Sequence, residues 1–335
     1  MAYSESVLSR ATARLEKRRK AHRAQREALR REVLTKLPRA GELDRQLSRT
    51  LPQIIAAALR QGEDPQEAIR LLKEKNLSQQ RELKDVLTQN GYPADALDEV
   101  PFCPLCRDTG WRGARMCACL RELCTQEQIQ ELSSRLDFME QSFPRFRLDF
   151  YDTETVPAYG RSPRQNMERV YALCQNYAEK FGAFPFKNLF LHGGTGLGKT
   201  FLSACIAKEV SQRGFSVVYD TAGNIFARFE EKKFSRDIEN VQEARDVTRK
   251  YLRCDLLILD DLGSELTTPF VQSALYQLLN TRLTSGRATV ISSNLSMDDV
   301  KRRYTPQIAS RLEGEYRSLF FFGSDIRLKK TTLPR

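Results

Sequence analysis

The sequence predicts an α/β protein built on a parallel, doubly wound sheet and preceded by an α-helical module that carries a small cysteine-rich knuckle. Three observations support this. From about residue 162, helical patterns alternate with short buried runs, "NLFLH", "SVVYD", "DLLILD" and "ATVISS", as strands joined by crossover helices do. One of those runs passes through a glycine-rich turn into a helix, "LFLHGGTGLGKTFLSACIAKEV" at 189–210. Five of the eight cysteines lie between Cys103 and Cys124, while Cys174, Cys205 and Cys254 are scattered.

A chain of 335 residues suffices for one α/β core and a smaller module. Hydrophobic residues make up 41% and charged residues 29%, which fits a soluble globular protein. No run of about 18 apolar residues is present, so no membrane-spanning helix is expected. The opening "MAYSESVLSRATARLEKRRK" lacks an apolar secretory region, and a cytoplasmic protein is expected. Residues 1–50 hold 14 Lys/Arg against 6 Asp/Glu, a net +8 of the chain's +11. Such an arm suits nucleic acid, acidic lipid or an acidic protein, or is simply a solvated helix.

Residues 4–36 read as one long helix with Leu8, Leu15, Leu29 and Val33 on a thin apolar stripe, too polar to stand alone as a coiled coil. A second helix covers about 42–61, stopped by Gly62. Asp64, Pro65 and Glu67 form a capping-box signature that opens a third. Ser78 begins a further short helix ending at "NGYP", with Gly91 suited to the left-handed terminating position. The expected organisation is a basic helical partner-binding module at 1–100 and a knuckle at 101–125. A linker with the aromatic stretch "SFPRFRLDFYD" follows at 126–160, then the α/β domain at 161–335. Within that domain 199–213 is helical, two polar helices fill about 222–253, and Thr268 and Pro269 open a helix at 269–285.

Gly193-Gly194-Thr195-Gly196-Leu197-Gly198-Lys199-Thr200 fits the phosphate-loop pattern G-x-x-x-x-G-K-[ST] between strand and helix. Its glycines let backbone N–H groups turn inward around phosphates. Lys199 would reach the β and γ phosphates and the Thr200 hydroxyl would hold Mg²⁺. "CDLLILDDLG" ends a buried strand in Asp260 and Asp261, at the sheet edge where phosphates lie. Asp260 is expected on the Mg²⁺ side and Asp261 on the attacking water, unless both are loop acids. Asn294, after the next strand, has an amide suited to the same water and a γ-phosphate oxygen; a turn-forming Asn is the plain alternative. Arg311, Arg317 and Arg327 near the C-terminus suit phosphoryl charge or surface ion pairs.

Cys103-x₂-Cys106-x₁₀-Cys117-x-Cys119 offers four thiolates, enough for a closed tetrahedral Zn²⁺ site of structural kind. Gly110 and Gly113 permit the loop between the pairs, Cys124 is a possible substitute for Cys119, and an Fe–S cluster or unliganded thiols remain open.

The phosphate loop, acidic pair, Asn294 and C-terminal arginines together resemble AAA+ ATPases. More closely, "GGTGLGKTFLSACIAKEV", "LLILDDLGSE", "SSNLS" and "IASRLEGEYRSLFFFGSDIRLKK" resemble the bacterial DnaC/DnaI-type replicative helicase loaders over about 160–330, and the "CPLCRDTGW" flank does so more loosely. The resemblance implies a P-loop NTPase of AAA+ fold that binds ATP and Mg²⁺. It implies Asn294 as sensor 1, Arg311 as a finger entering a neighbouring subunit's site and Arg327 as sensor 2. It also strengthens the Zn²⁺ reading.

The expected function is an ATP-dependent loader. It would bind the replicative hexameric helicase, help place it on single-stranded DNA and self-assemble with nucleotide. Asp261 stands where AAA+ motors commonly carry Glu, and hydrolysis is expected to be slow. Two alternatives stand beside it, a transposase-helper AAA+ ATPase of a mobile element and a non-hydrolysing zinc-containing adaptor. "ARFEEKKFSR", with Arg228, Lys232, Lys233, Arg236, Phe226, Phe229 and Phe234 in or beside it, suits backbone tracking and base stacking or an ordinary amphipathic helix.

Overall fold

A computed structural model describes residues 3–59, 65–133, 136, 140–234 and 238–330. The chain divides into two units, Thr12–Leu120 and Met1–Ala11 with Arg121–Arg335. The expected Gly62 stop, the Asp64 cap and Arg236 lie outside the described residues.

The first unit is built from α1 (Glu5–Lys36), α2 (Pro38–Leu59) and α3 (Pro65–Gln89). Val33, Ala40, Leu87, Ala96 and Leu97 form a small core, with Leu29, Leu83 and Val86 packed against it. α2 starts four residues before the expected position, because Pro38 is well placed at a first helical residue, where its missing N–H would have no partner. The two helices expected on either side of Ser78 are one. "LKEKNLSQQREL" contains no Gly or Pro, so nothing there interrupts α3. Gly91 takes the expected left-handed conformation, with φ 78°. A two-residue hairpin, β1 (Trp111–Arg112) and β2 (Arg115–Met116), turns within the cysteine segment.

After α4 (Ala118–Ser133) and α5 (Pro163–Glu179), the second unit alternates strand and helix. Its elements are β3 (Leu189–Gly193), α6 (Lys199–Gln212), β4 (Val217–Thr221), α7 (Ala222–Phe234), α8 (Ile238–Arg253), β5 (Leu256–Leu262), α9 (Pro269–Thr284), β6 (Ala288–Ser293), α10 (Met297–Arg303), α11 (Pro306–Glu315), β7 (Arg317–Phe321) and α12 (Ile326–Lys330). The five-strand sheet has the order β4-β5-β6-β3-β7 and every pairing is parallel. Both faces are covered, which explains the unbroken apolar strand runs. Leu189, Leu191, Leu256, Ile258 and Val290 pack with residues of α5 and α6. The alternate residues Phe190, Leu257, Leu259 and Ile291 pack with residues of α7, α9 and α11.

Helix starts follow their caps. Ser162 Oγ accepts the Gln165 N–H while the Gln165 side chain accepts the Ser162 N–H, with Pro163 at the first helical position. Thr268 accepts the Val271 N–H ahead of α9, as the sequence predicts. Among the described residues no helix is long and apolar enough to cross a membrane.

α9 is fixed to the sheet by a buried charge. Arg282 is fully buried; its Nε donates to Thr289 Oγ1 (3.0 Å), Nη1 to the Tyr251 carbonyl (2.6 Å) and Nη2 to the carbonyls of Cys254 (3.2 Å) and Ala288 (2.5 Å). Truncation would strand three buried carbonyls and leave a cavity. Arg282→Ala is therefore expected to lose about 3–5 kcal/mol of stability, read as a lower urea midpoint; an unchanged midpoint would show that these bonds contribute nothing net.

Candidate nucleotide site and metal centre

The glycine loop is held from both sides. A Cβ on Gly193 would lie 1.9 Å from the Phe321 carbonyl oxygen of β7, so only glycine admits that strand's approach. A Cβ on Gly198, whose φ is 91°, would meet the Tyr151 hydroxyl at 2.7 Å and the Phe146 ring at 3.4 Å. Tyr151 donates to the Leu197 carbonyl (2.9 Å), and Phe146 packs against Tyr151, Tyr171 and Phe201. The aromatic stretch expected to be a linker thus backs the loop. α6 begins at Lys199, and its first N–H groups, lacking helical partners, favour an anion. Lys199 Nζ donates to the carbonyls of Gly193 (2.7 Å) and Gly194 (2.6 Å), and burial pushes its pKa down to about 8.

At the end of β5 two neighbouring carboxylates part company. Asp260 is buried and accepts hydrogen bonds from Tyr219 (2.6 Å), Ser292 and Thr200 (3.5 Å). Asp261 has φ 59°, at the point where the β5–β6 register shifts between Leu259 and Leu262. Its N–H donates to Ser292 Oγ (3.0 Å), and its carboxylate receives the Asn294 amide (3.0 Å). Both carboxylates act electrostatically on Lys199, as does Arg327. The structure therefore brings Lys199, Thr200, Asp260, Asp261, Asn294 and Arg327 to one sheet edge.

It does not bring Arg311 there. Arg311 donates to Tyr276 Oη (3.0 Å) and Asn280 Oδ1 (2.8 Å) on α9, and its guanidinium lies 4.5 Å from the Tyr276 ring centroid. Arg317 sits over the Phe186 ring. Three groups at the site carry no motif signal. Tyr219 and Ser292 grip Asp260, and the Asp325 carboxylate abuts Gly196 while the Ile326 N–H donates to the Gly196 carbonyl (3.1 Å). His192, at the end of β3, is stacked on Phe190 and pushed down to about 4 by burial and by Lys199, so it is neutral at pH 7.

A family model described as "IstB-like ATP binding protein" matches residues 184–309. The chromosomal replication initiator protein DnaA of Gluconobacter oxydans (strain 621H) is 31% identical over 181 residues, covering 53% of this chain and 34% of that protein. The replicative helicase loader DnaI of Bacillus subtilis (strain 168) is 33% identical over 122 residues, covering 36% of this chain and 37% of that protein. The match over residues 184–309 lies in a unit of α/β AAA+-type fold with a parallel core sheet. The chain spans about a third of the length of these curated relatives. A solved structure, the DnaC helicase loader, is also similar, at 18% identity and TM-score 0.42, with 54% of this chain and 98% of that one covered.

Ahead of the AAA+ domain, the Cys103, Cys106, Cys117 and Cys119 sulfurs all lie within 4.8 Å of one another. Cys103–Cys117 is 3.8 Å and Cys106–Cys119 is 3.5 Å. Tetrahedral Zn–S bonds of about 2.3 Å put sulfurs about 3.8 Å apart, so the four thiols fit zinc. The Cys106 Sγ accepts the Gly110 N–H (3.4 Å), and Asp108 accepts the N–H groups of Phe102 (3.0 Å) and Cys103 (2.7 Å). Hydrogen bonding, chiefly from the Cys106 N–H, brings the Cys103 thiol down to about 7, which favours the thiolate. Cys124 stands outside the set, buried and pushed up to about 11 by desolvation.

Two outcomes follow. Phosphate binding favours charged Lys199, whose pKa is about 8 in the free protein. ATP affinity is therefore expected to be flat below about pH 8 and to fall about tenfold per unit above it, measured by titration calorimetry. Affinity constant to pH 10 would show that Lys199 is not held below the ordinary ammonium pKa. Cys119→Ser is expected to release metal to a chelator at least tenfold faster, while Cys124→Ser releases it at the wild-type rate.

Proposed function

We propose that this protein is an ATP-timed assembly factor for a DNA-processing machine, a helper ATPase of the IstB-like kind. The observation that carries the reading is the gathering of Lys199, Thr200, Asp260, Asp261 and Asn294 at one edge while Arg311, held against α9, bonds to none of them. That arrangement supports hydrolysis completed by a second copy. Lys199 and the α6 N-terminus would hold the phosphates. Thr200 would carry Mg²⁺ with Asp260 behind it, oriented by Tyr219 and Ser292. Asp261 would take the proton of a water that Asn294 orients, and a neighbour's Arg311 would meet the transferred phosphoryl. Bound Mg²⁺ supplies charge neutralisation at the β and γ phosphates. Arg327 would act as sensor 2. The shorter Asp261 carboxylate suits slow turnover, hence timing of assembly and release. The family match over 184–309 supports the transposase-helper branch.

For the DNA grip, Phe226 and Phe229 are core residues, so base stacking by them is ruled out. Phe234 is exposed beside Phe270, with the Lys233 ammonium over both rings, and this end of α7 is the remaining candidate for single-stranded DNA.

A second reading, the helicase loader, has its own support. The four-cysteine knuckle and the helices ahead of the ATPase form a unit of their own, as a partner-binding module would. The DnaI likeness supports this branch. Mass measurements with ATP, against the host's replicative helicase and against a transposase from the same locus, separate the two. A complex with the transposase alone supports the helper, a complex with the helicase alone supports the loader, and neither complex overturns both. Wild-type turnover that is no faster than Lys199→Ala with DNA and partner present would reduce the protein to an adaptor.

A further inference from the structure

Beside the cysteine knuckle, α1 and the segment 97–108 enclose a cleft of about 620 Å³. Five arginines line it, Arg19, Arg23, Arg26 and Arg30 from α1 and Arg107 from the knuckle. They differ in their employment. Arg26 donates to the carbonyls of Asp95 and Asp98, and Arg30 donates to the Leu97 carbonyl and pairs with Asp44, so these two build the wall. Arg19, Arg23 and Arg107 are exposed. The acids on the lining are Glu27, Asp98, Glu99 and Asp108. Glu27 is paired with Arg23 at 3.0 Å, and Asp108 is turned inward onto the N–H groups of Phe102 and Cys103.

Arg107 has φ 50°, and Asp108 after it has φ 63°. That left-handed conformation costs a non-glycine residue about 1–2 kcal/mol. The knuckle holds Arg107 there, and its side chain faces the cleft. Arg19 and Arg23, the exposed arginines of α1 on the cleft, stand one turn apart on the same helical face, a rise of about 6 Å. That is the axial length of about two nucleotides of stacked strand. Phe102, half exposed, follows the lining residues Val100 and Pro101, and Arg18 sits 4.0 Å from its ring centroid.

We propose that this cleft binds the phosphate backbone of single-stranded nucleic acid, with Arg19, Arg23 and Arg107 on successive phosphates and Phe102 offered to a base. Exposed guanidinium groups a helical turn apart, with a third across the cleft, suit successive phosphates, and an adjoining aromatic suits bases more than acidic side chains. A cleft of this size takes a few nucleotides of one strand and not a duplex. The cleft lies wholly within the first unit.

The test is fluorescence anisotropy of labelled oligo-dT on the full chain, without ATP, across a salt series. Lys232→Ala/Lys233→Ala serves as background, so that loss of DNA binding on α7 is already accounted for. Adding Arg19→Ala, Arg23→Ala and Arg107→Gly, the last keeping the left-handed turn, is expected to weaken binding at least tenfold. The slope of log K against log salt should fall by about 2, three contacts at about 0.7 each. A zinc content matching the parent's shows that the knuckle is intact in the variant; if it is not, Arg19→Ala/Arg23→Ala alone should reduce the slope by about 1.4. Affinity and slope within twofold of the parent would overturn the proposal. So would loss of poly-glutamate binding with oligo-dT unaffected, which would assign the cleft to an acidic protein segment.

Discussion

The candidate site depends on a kink at the end of one strand. In regular β structure Asp260 and Asp261 would point to opposite faces of the sheet. The register shift after Leu259 and the left-handed backbone of Asp261 keep both carboxylates at one sheet edge, aimed at different targets. One is buried among hydroxyls and the other meets the Asn294 amide. The roles proposed for them, one carboxylate on the metal side and one on the water side, need different surroundings, and one bulge provides both.

A left-handed aspartate is held at a cost of about 1–2 kcal/mol. Local bonds offset it: the Asp261 N–H donates to Ser292, and the Asp261 carbonyl accepts from the Ser264 N–H (3.2 Å) and hydroxyl (2.8 Å). Glu265 continues the brace, accepting the Gly263 N–H (2.8 Å) and the Tyr304 hydroxyl. The loop after β5 is thereby tied to the end of α10. On the other side of the sheet edge β7 presses on Gly193 and Asp325 on Gly196. The empty-handed appearance of the glycine motif in sequence hides how tightly its neighbours fix it.

Much of this was legible in the sequence. Buried apolar runs marked the strands, the glycine motif marked the β3–α6 turn, and Thr268-Pro269 marked the start of α9, because each is a local signal. The left-handed Asp261 was not legible, since Asp there lacks the glycine that usually announces positive φ and is imposed by pairing with β6. Arg282 reads as a surface charge at the end of an amphipathic helix, and only tertiary placement reveals the carbonyls around it. Phe226 and Phe229 beside lysines resembled a stacking surface, but helical spacing turned both into the core. Asp325 and Tyr151 reach the loop from distant parts of the chain, which no spacing rule captures. The four-cysteine grouping was clear from spacing, and the choice of Cys119 over Cys124 was decided by geometry.

The proposed site is one that a single copy cannot complete. Its most direct test is ATP turnover by Lys199→Ala, by Arg311→Ala, and by the two mixed. Each variant alone should be inactive, and the mixture should regain turnover, because the first supplies the arginine and the second supplies an intact phosphate loop. Full activity of Arg311→Ala alone, or no recovery at any mixing ratio, would contradict it.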